Sequence, residues 1–232
     1  MDLPTSALQN FYRSAQHRHP DVLFHGDASR REIALTFDDG PHLQDTPRLL
    51  DELEKHQVRA TFHLVGRYAE RHPDLVRQIH RGGHQLALHC YRHIPFPMEN
   101  PARLRADLDR AQRFIAEAAG LTPETIRDVR TPYGIFTSQT LSQLTEWGYR
   151  LVMWTSLPPH WMQPVGWSIR QVMASAVPGA VIVLHDGNGH GKRVAEIVDI
   201  AVPRIKSLGF EFITVEEMQR QRAQSSETEV RT

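Results

Sequence analysis

Two adjacent carboxylates close an apolar run, Ile33-Ala34-Leu35, in the stretch Thr36-Phe37-Asp38-Asp39-Gly40-Pro41-His42. Burying unpaired charge costs several kcal/mol, so a doublet at the end of an apolar strand is expected to meet a metal, a cation or a substrate. Asp, Gly and Pro also favour turns, and the stretch alone leaves turn and site both open. Other polar residues sort to comparable places. His89 and His93 follow a second apolar run, Arg130 ends a third, Trp154 ends a fourth, and His185-Asp186 follow a fifth.

Those positions depend on the elements around them. Seven strands are predicted, over Ile33–Phe37, Ala60–Val65, Gln85–His89, Ile126–Arg130, Arg150–Trp154, Ala180–Leu184 and Phe210–Val215. Helical patterns separate them. Thr46 is expected to cap the first with Pro47 at its first position, Asn100-Pro101 opens the longest, Thr137 caps another, and Pro203 is expected to bend or break the one before the last strand. Regular alternation of strand and helix indicates a parallel α/β domain, either an open doubly wound sheet or a closed barrel. In both, function gathers where strands end and loops lead into helices. Residues 30–218 form the domain, 1–29 an N-terminal extension lying on it, and 219–232 a polar, frayed tail.

Two imidazoles and one carboxylate with open positions suit Zn²⁺, Fe²⁺ or Co²⁺ as a Lewis acid. A spacing of four brings His89 and His93 together, and Asp38 or Asp39 can supply the acid. The other carboxylate could serve as general base, His185 as general acid, and Arg130 could keep the base ionised. The chain holds 14 histidines, so a bare pair four apart is weak by itself; His80 and His84 form another such pair and are taken as bland. His63, between Phe62 and Leu64, is taken as a satisfied core histidine rather than a residue of the barrel interior.

Composition removes several classes. Lys+Arg and Asp+Glu balance at 27 each, which argues against a nucleic-acid binder. The single cysteine, Cys90, excludes an internal disulfide and any multi-Cys metal site. No apolar run approaches the ~20 residues of a membrane span. The N-terminal stretch lacks a basic segment followed by an apolar one, so a cytoplasmic location is expected. The loop Asp186-Gly187-Asn188-Gly189-His190-Gly191-Lys192-Arg193 invites a phosphate-loop reading, but the glycine spacing and the residue after Lys192 both fail the pattern. A nucleotide-binding module is therefore a minor alternative.

Assembled in order, these residues resemble the motifs of the NodB-like polysaccharide deacetylases, carbohydrate esterase family four, over roughly Glu32 to Val215. Thr36-Phe37-Asp38-Asp39-Gly40 is similar to the first motif, which implies Asp38 as general base and Asp39 as metal ligand. His89-Cys90-Tyr91-Arg92-His93 resembles the second, whose histidines complete the metal triad. Arg130-Thr131-Pro132-Tyr133-Gly134 is similar to the third, in which the Arg orients the base and the Tyr133 backbone N–H helps stabilise an oxyanion. Ile182-Val183-Leu184-His185-Asp186 resembles the fifth, with His185 as general acid and Val183 where a Leu usually lines the acetyl pocket. The resemblance implies a distorted, incomplete (β/α) barrel holding one divalent metal, most readily Zn²⁺. It also implies removal of N-acetyl, or O-acetyl, groups from an amino-sugar glycan.

Small departures are Cys90 for Ser or Thr and Thr131 for Pro. The larger one is in the fourth motif, where an Asp commonly precedes a Trp and this chain has His160-Trp161. Trp161 can still floor the acetyl pocket, but His160 supplies no negative charge. The expectation is a lowered His185 pKa, with the pH–rate limb that it controls moved downward. A glycan-binding barrel with impaired turnover is the alternative that this departure leaves.

Overall fold

A computed structural model describes residue 14 and residues 16–230. The N-terminal stretch on which the leader and location expectations rest lies largely outside them. Seven strands, β1 (Glu32–Asp38), β2 (Thr61–Leu64), β3 (Gln85–Leu88), β4 (Asp128–Val129), β5 (Arg150–Leu151), β6 (Ala180–His185) and β7 (Glu211–Ile213), form one parallel sheet. The order is β5-β4-β3-β2-β1-β6, with β7 beside the first half of β1 and β2 beside its second half. A bridge between Ser156 and Ile182 joins the chain beyond β5 to β6. The sheet is thus curled into an incomplete barrel, as the family resemblance implies.

Period-two alternation sorts the side chains. Ile33, Leu35 and Phe37 of β1 pack with Phe62, Leu64 and the helices, whereas Ala34 joins Val152, Val181 and Ile213 in a separate cluster inside the barrel. Outside run α1 (Asp45–Lys55), α2 (Gly66–Arg71), α3 (Pro73–Arg81), α4 (Pro101–Ala119), α5 (Ser138–Glu146), α6 (Val165–Ala174), α7 (Val194–Ser207) and α8 (Val215–Val230). Asn100 and Thr137 cap α4 and α5 as expected, accepting from the amides of Ala102 and Thr140, and Gly120 ends α4 in the left-handed conformation.

Two expectations are corrected and two are refined. Thr46 lies inside the first turn of α1, after Gln44 at the cap, and its hydroxyl bonds Asp186 instead. Pro203 does not break α7, because the missing N–H removes one bond while Ile197, Val198, Ala201 and Ile205 hold the helix on the core. The polar tail continues as α8. Thr214 and Glu217 start it with reciprocal bonds, Thr214 N–H to Glu217 Oε2 (2.9 Å) and Glu217 N–H to Thr214 Oγ1 (3.2 Å), a capping box. The described part of the N-terminal segment pairs with the sheet. The Leu23 amide bonds the Leu151 carbonyl, the Leu23 carbonyl accepts from Met153, and Gly26 bonds Gly179 ahead of β6. Val22, Leu23 and Phe24 are buried, with Leu23 bridged in parallel to Val152 just beyond β5.

Removing a buried Leu side chain from a packed seam costs about 2–5 kcal/mol, whereas a surface appendage would lose under about 0.5 kcal/mol. Leu23→Ala is expected to lower the unfolding free energy measured in urea by an amount within the larger range; an unchanged value would make Leu23 part of a surface extension.

Candidate active site

The ends of five strands converge at one mouth of the barrel. Asp38 lies between two strand partners, His63 on β2 and His185 on β6. Its Oδ1 accepts from Arg130 Nη1 at 2.7 Å, and both side chains are buried. Burial alone would raise the Asp38 pKa, but Arg130, with His89 and His63, outweighs it and holds the carboxyl well below the usual carboxylate range. Arg130 is satisfied throughout. Nη1 also meets Thr36 Oγ1 (2.8 Å), Nη2 donates to the Met153 carbonyl (3.0 Å) and Nε to the Val152 carbonyl (3.2 Å).

Asp39 points elsewhere. Its backbone turns to φ 74°, and its Oδ1 stands 2.9 Å from His93 Nε2 and 3.4 Å from His89 Nε2. The His89 Nδ1 lies 2.8 Å from the Arg130 carbonyl. A carbonyl only accepts, so that nitrogen carries a proton and Nε2 is the atom turned towards Asp39. Burial disfavours charge on His89, but the carboxylates of Asp38 and Asp39 outweigh it and raise its pKa. They would favour a cation there in the same way.

Asp39, His89 and His93 are grouped as potential metal ligands, with ligand atoms within 4.8 Å of one another. In a tetrahedral zinc site with bonds near 2.0 Å, ligand atoms stand about 3.3 Å apart. The two oxygen–nitrogen separations bracket that spacing, so the donor set fits a metal of this kind. A second group, Glu52, His56 and Asp199, is half-buried on α1 and α7. There the Lys55 ammonium already bonds both carboxylates, and a metal has no comparable place.

The remaining expected residues also reach this mouth. His185 ends β6, and burial, only partly opposed by Asp38 and Asp39, lowers its pKa to about 4. The Trp161 ring meets it edge-on at 4.7 Å. Tyr133 is exposed, at φ 60°, with its ring 5.0 Å from that of His93. Val183 is buried on β6 beside Thr36. His160 is buried too, and its Nε2 accepts the His185 backbone N–H at 2.9 Å. Burial pushes the His160 pKa to about 3, so the ring is neutral and brings no negative charge to His185.

Sequence reasoning misplaced or missed two residues. His63 is no ordinary core histidine: its Nδ1 lies 3.3 Å from Asp38 Oδ1 and 3.2 Å from Arg130 Nη1. The signal was present in β2, where Phe62 and Leu64 alternate with Thr61 and His63. Asp186, passed over as half of a strand-end pair, is fully buried, accepts from the Thr46 hydroxyl, and has its pKa raised to about 7 by burial. The neighbouring Gly187 allows close backbone approach, since a Cβ there would stand 2.0 Å from the Asp39 carbonyl oxygen.

Residues 25–152 match the family model for polysaccharide deacetylase. The chain belongs to the polysaccharide deacetylase family. It is 34% identical to a peptidoglycan-N-acetylglucosamine deacetylase of Bacillus cereus, over 84% of this chain and 70% of the relative. It is 33% identical to a chitooligosaccharide deacetylase of Bradyrhizobium sp., over 81% and 90% respectively. Among solved structures, a peptidoglycan N-acetylglucosamine deacetylase in complex with 4-naphthalen-1-yl-N-oxidanyl-benzamide superposes with a TM-score of 0.82 at 30% identity, covering 88% of this chain and 95% of that one. Like its family, the chain is a deacetylase of the carbohydrate esterase family four type, with the incomplete barrel that the family fold requires.

Within this deacetylase, activity that needs a protonated His185 falls as pH rises through the His185 pKa, and a lowered pKa places that fall at lower pH. Asp at position 160 would add an anion beside the ring. His160→Asp is therefore expected to move the descending limb of kcat/KM upward by about one pH unit. Coincident limbs in parent and variant would remove the charge effect.

Proposed function

We propose that this deacetylase hydrolyses N-acetyl groups on a glycan of the peptidoglycan or chitooligosaccharide kind, with O-acetyl esters as a secondary substrate, and uses one divalent metal, best Zn²⁺. The observation that carries the proposal is the convergence of Asp39 Oδ1, His89 Nε2 and His93 Nε2 beside the buried Asp38–Arg130 pair. The names of the relatives supply the substrate class.

Asp39, His89 and His93 would hold the ion. When bound, the ion supplies Lewis acidity, polarising the acetyl carbonyl and lowering the pKa of water. Asp38, kept ionised by Arg130, takes the proton of the attacking water. Arg130 holds one carboxylate oxygen in place and balances the charge, so the base neither rotates nor protonates beforehand. The Tyr133 backbone N–H donates to the oxygen on which negative charge develops. Trp161 and Val183 bound the space for the acetyl methyl. His185 delivers a proton to the nitrogen as the carbon–nitrogen bond breaks, giving acetate and a free amine. Its lowered pKa makes it a strong proton donor once charged, and the charged fraction is small at neutral pH. His63 touches the base and the arginine from β2, and its pKa, lowered to about 3 mainly by burial and next by Arg130, keeps it neutral there.

Acetate release from N-acetylated glucosamine oligomers, before chelation, after it, and after zinc is restored, tests the whole proposal. Loss and recovery are expected. Asp38→Asn should retain zinc measured by elemental analysis while losing about 10²–10⁴-fold in kcat. Asp39→Ala should lose the zinc itself. Full activity in Asp39→Ala refutes the ligand assignment, and release no greater than that of Asp38→Asn supports a glycan-binding barrel instead.

A further inference from the structure

A cavity of about 310 Å³ opens beside Asp39 between the loops that follow β1, β2 and β6, and its wall includes His42, Tyr68, Arg71, His72 and Asn188. The glycine-rich segment that failed as a phosphate loop supplies one side of it, through Gly187, Asn188 and Gly189. Of the metal triad, the base and the acid, Asp39 alone lies in its wall. At about 300 Å³ it stands at the lower end of small-ligand pockets, with room for about one sugar unit or its substituent.

Its chemistry is that of donors. Arg71 is exposed and forms no ion pair among the described residues. Arg67 makes none either: Nη2 donates to the Tyr68 hydroxyl at 2.8 Å, the guanidinium lies 4.7 Å from the Tyr68 ring centroid, and the buried Nε has no hydrogen-bond partner. The Tyr68 hydroxyl in turn donates to Asn188 Oδ1 at 3.1 Å, which leaves the Asn188 NH₂ as a further donor. The nearby acids are engaged elsewhere. Glu70 is held by Tyr91 and Arg110 and Asp74 by Arg77, while Asp45 lies 3.0 Å from His42 Nδ1 and outside the cavity wall. Asp39 is the one carboxylate in the cavity wall, and its Oδ1 faces His89 and His93. The Arg71 guanidinium and the Asn188 amide in the cavity wall, with the Arg67 guanidinium behind Tyr68, suit an acceptor-only group.

We propose that this cavity receives an anionic substituent, a carboxylate or a phosphate, carried by the glycan next to the sugar that loses its acetyl group. The preferred substrate is then an acidic acetylated glycan rather than a neutral one. The proposal rests on the deacetylase reading, which supplies the acetylated sugar at the metal triad. Arg71 binds the anion directly, and Arg67 acts from behind Tyr68, fixing its hydroxyl and adding charge.

The test compares oligosaccharides of N-acetylglucosamine in which alternate rings carry a lactyl carboxylate with the same oligomers after conversion of the carboxylate to an amide. A second arm uses a 6-O-phosphorylated N-acetylglucosamine oligomer against its unphosphorylated form. The readout is the ratio of kcat/KM on the charged and neutral members of each pair, taken within one protein. The parent is expected to favour one charged member by about tenfold, with the preferred arm identifying carboxylate or phosphate, and added salt should shrink the ratio. Arg71→Gln and the double variant Arg67→Gln/Arg71→Gln should bring it to about one, and Arg71→Lys should restore part of it. A parent ratio near one in both arms, or a ratio that the glutamine variants leave intact, overturns the proposal. Should the parent release acetate from no oligomer, the deacetylase reading fails separately. The charged-to-neutral ratio of dissociation constants from titration calorimetry, in parent and Arg71→Gln, then decides the cavity by the same criteria.

Discussion

The guanidinium of Arg130 sits fully buried at the inner surface of the barrel, bonded to Asp38, to Thr36 and to two carbonyls of the chain after β5. Taking such a pair out of water costs several kcal/mol per ion, and the loss is offset only when nearly every donor finds an acceptor. Here it does. Removing either partner would leave the other charged and buried, at a cost of about 3–5 kcal/mol, so the pair has to be retained as a unit. The same residue reaches the expected metal ligands through its backbone, because its carbonyl accepts from His89 Nδ1 and so determines which nitrogen of His89 faces Asp39. One arginine therefore sets the charge of the expected base and the tautomer of an expected ligand, and links β4, β5 and β1 while doing so.

The triad is held by backbone that most residues avoid. Among the described residues six non-glycine positions have positive φ, and Asp39, Cys90, His93 and Tyr133 are four of them. Each such conformation costs of order 1 kcal/mol or more and persists only where the surroundings impose it. At Cys90 the local support is visible: the buried Sγ accepts the His93 N–H at 2.8 Å, and this closes the turn that brings the two imidazoles together. Burial raises the thiol pKa to about 12, so the group is a neutral acceptor. That explains why cysteine can stand where the family pattern has a hydroxyl. At Asp39 the support is the close approach of Gly187, itself tied down through Asp186 and Thr46.

Strand ends were legible because each is a short apolar run followed by a polar residue, and all seven strands are found. The doublet, the two histidines, Arg130 and His185 were legible for the same reason. His63 was harder. An imidazole flanked by Phe62 and Leu64 looks like core until the parallel register sets it beside Asp38, and register is a property of two strands. The buried role of Asp186 likewise depends on Thr46, 140 residues earlier in the chain. The seam at Leu23 could not be read from a three-residue apolar run, since its partners are backbone groups of β5 and the turn before β6. Pro203 does not end α7, because propensity is local while the packing of α7 is not.

The fourth motif shows what a single residue change does at such a site. An aspartate there would face His185 with a charge; His160 faces it with a neutral ring, whose centroid lies 5.6 Å from that of His185. The ring is not idle. By accepting the His185 backbone N–H it carries the proton on Nδ1, and it ties the long loop after β5 to the end of β6. Yet His160 Nδ1 and His185 Nδ1 are both buried without a hydrogen-bond partner, and each such atom costs about 1–3 kcal/mol. A backbone anchor stands where the family pattern has an anion, and burial, opposed by Asp38 and Asp39, lowers the His185 pKa to about 4. On the proposed roles, turnover then depends less on the carboxylate doublet than on how readily His185 is charged across the mouth from it.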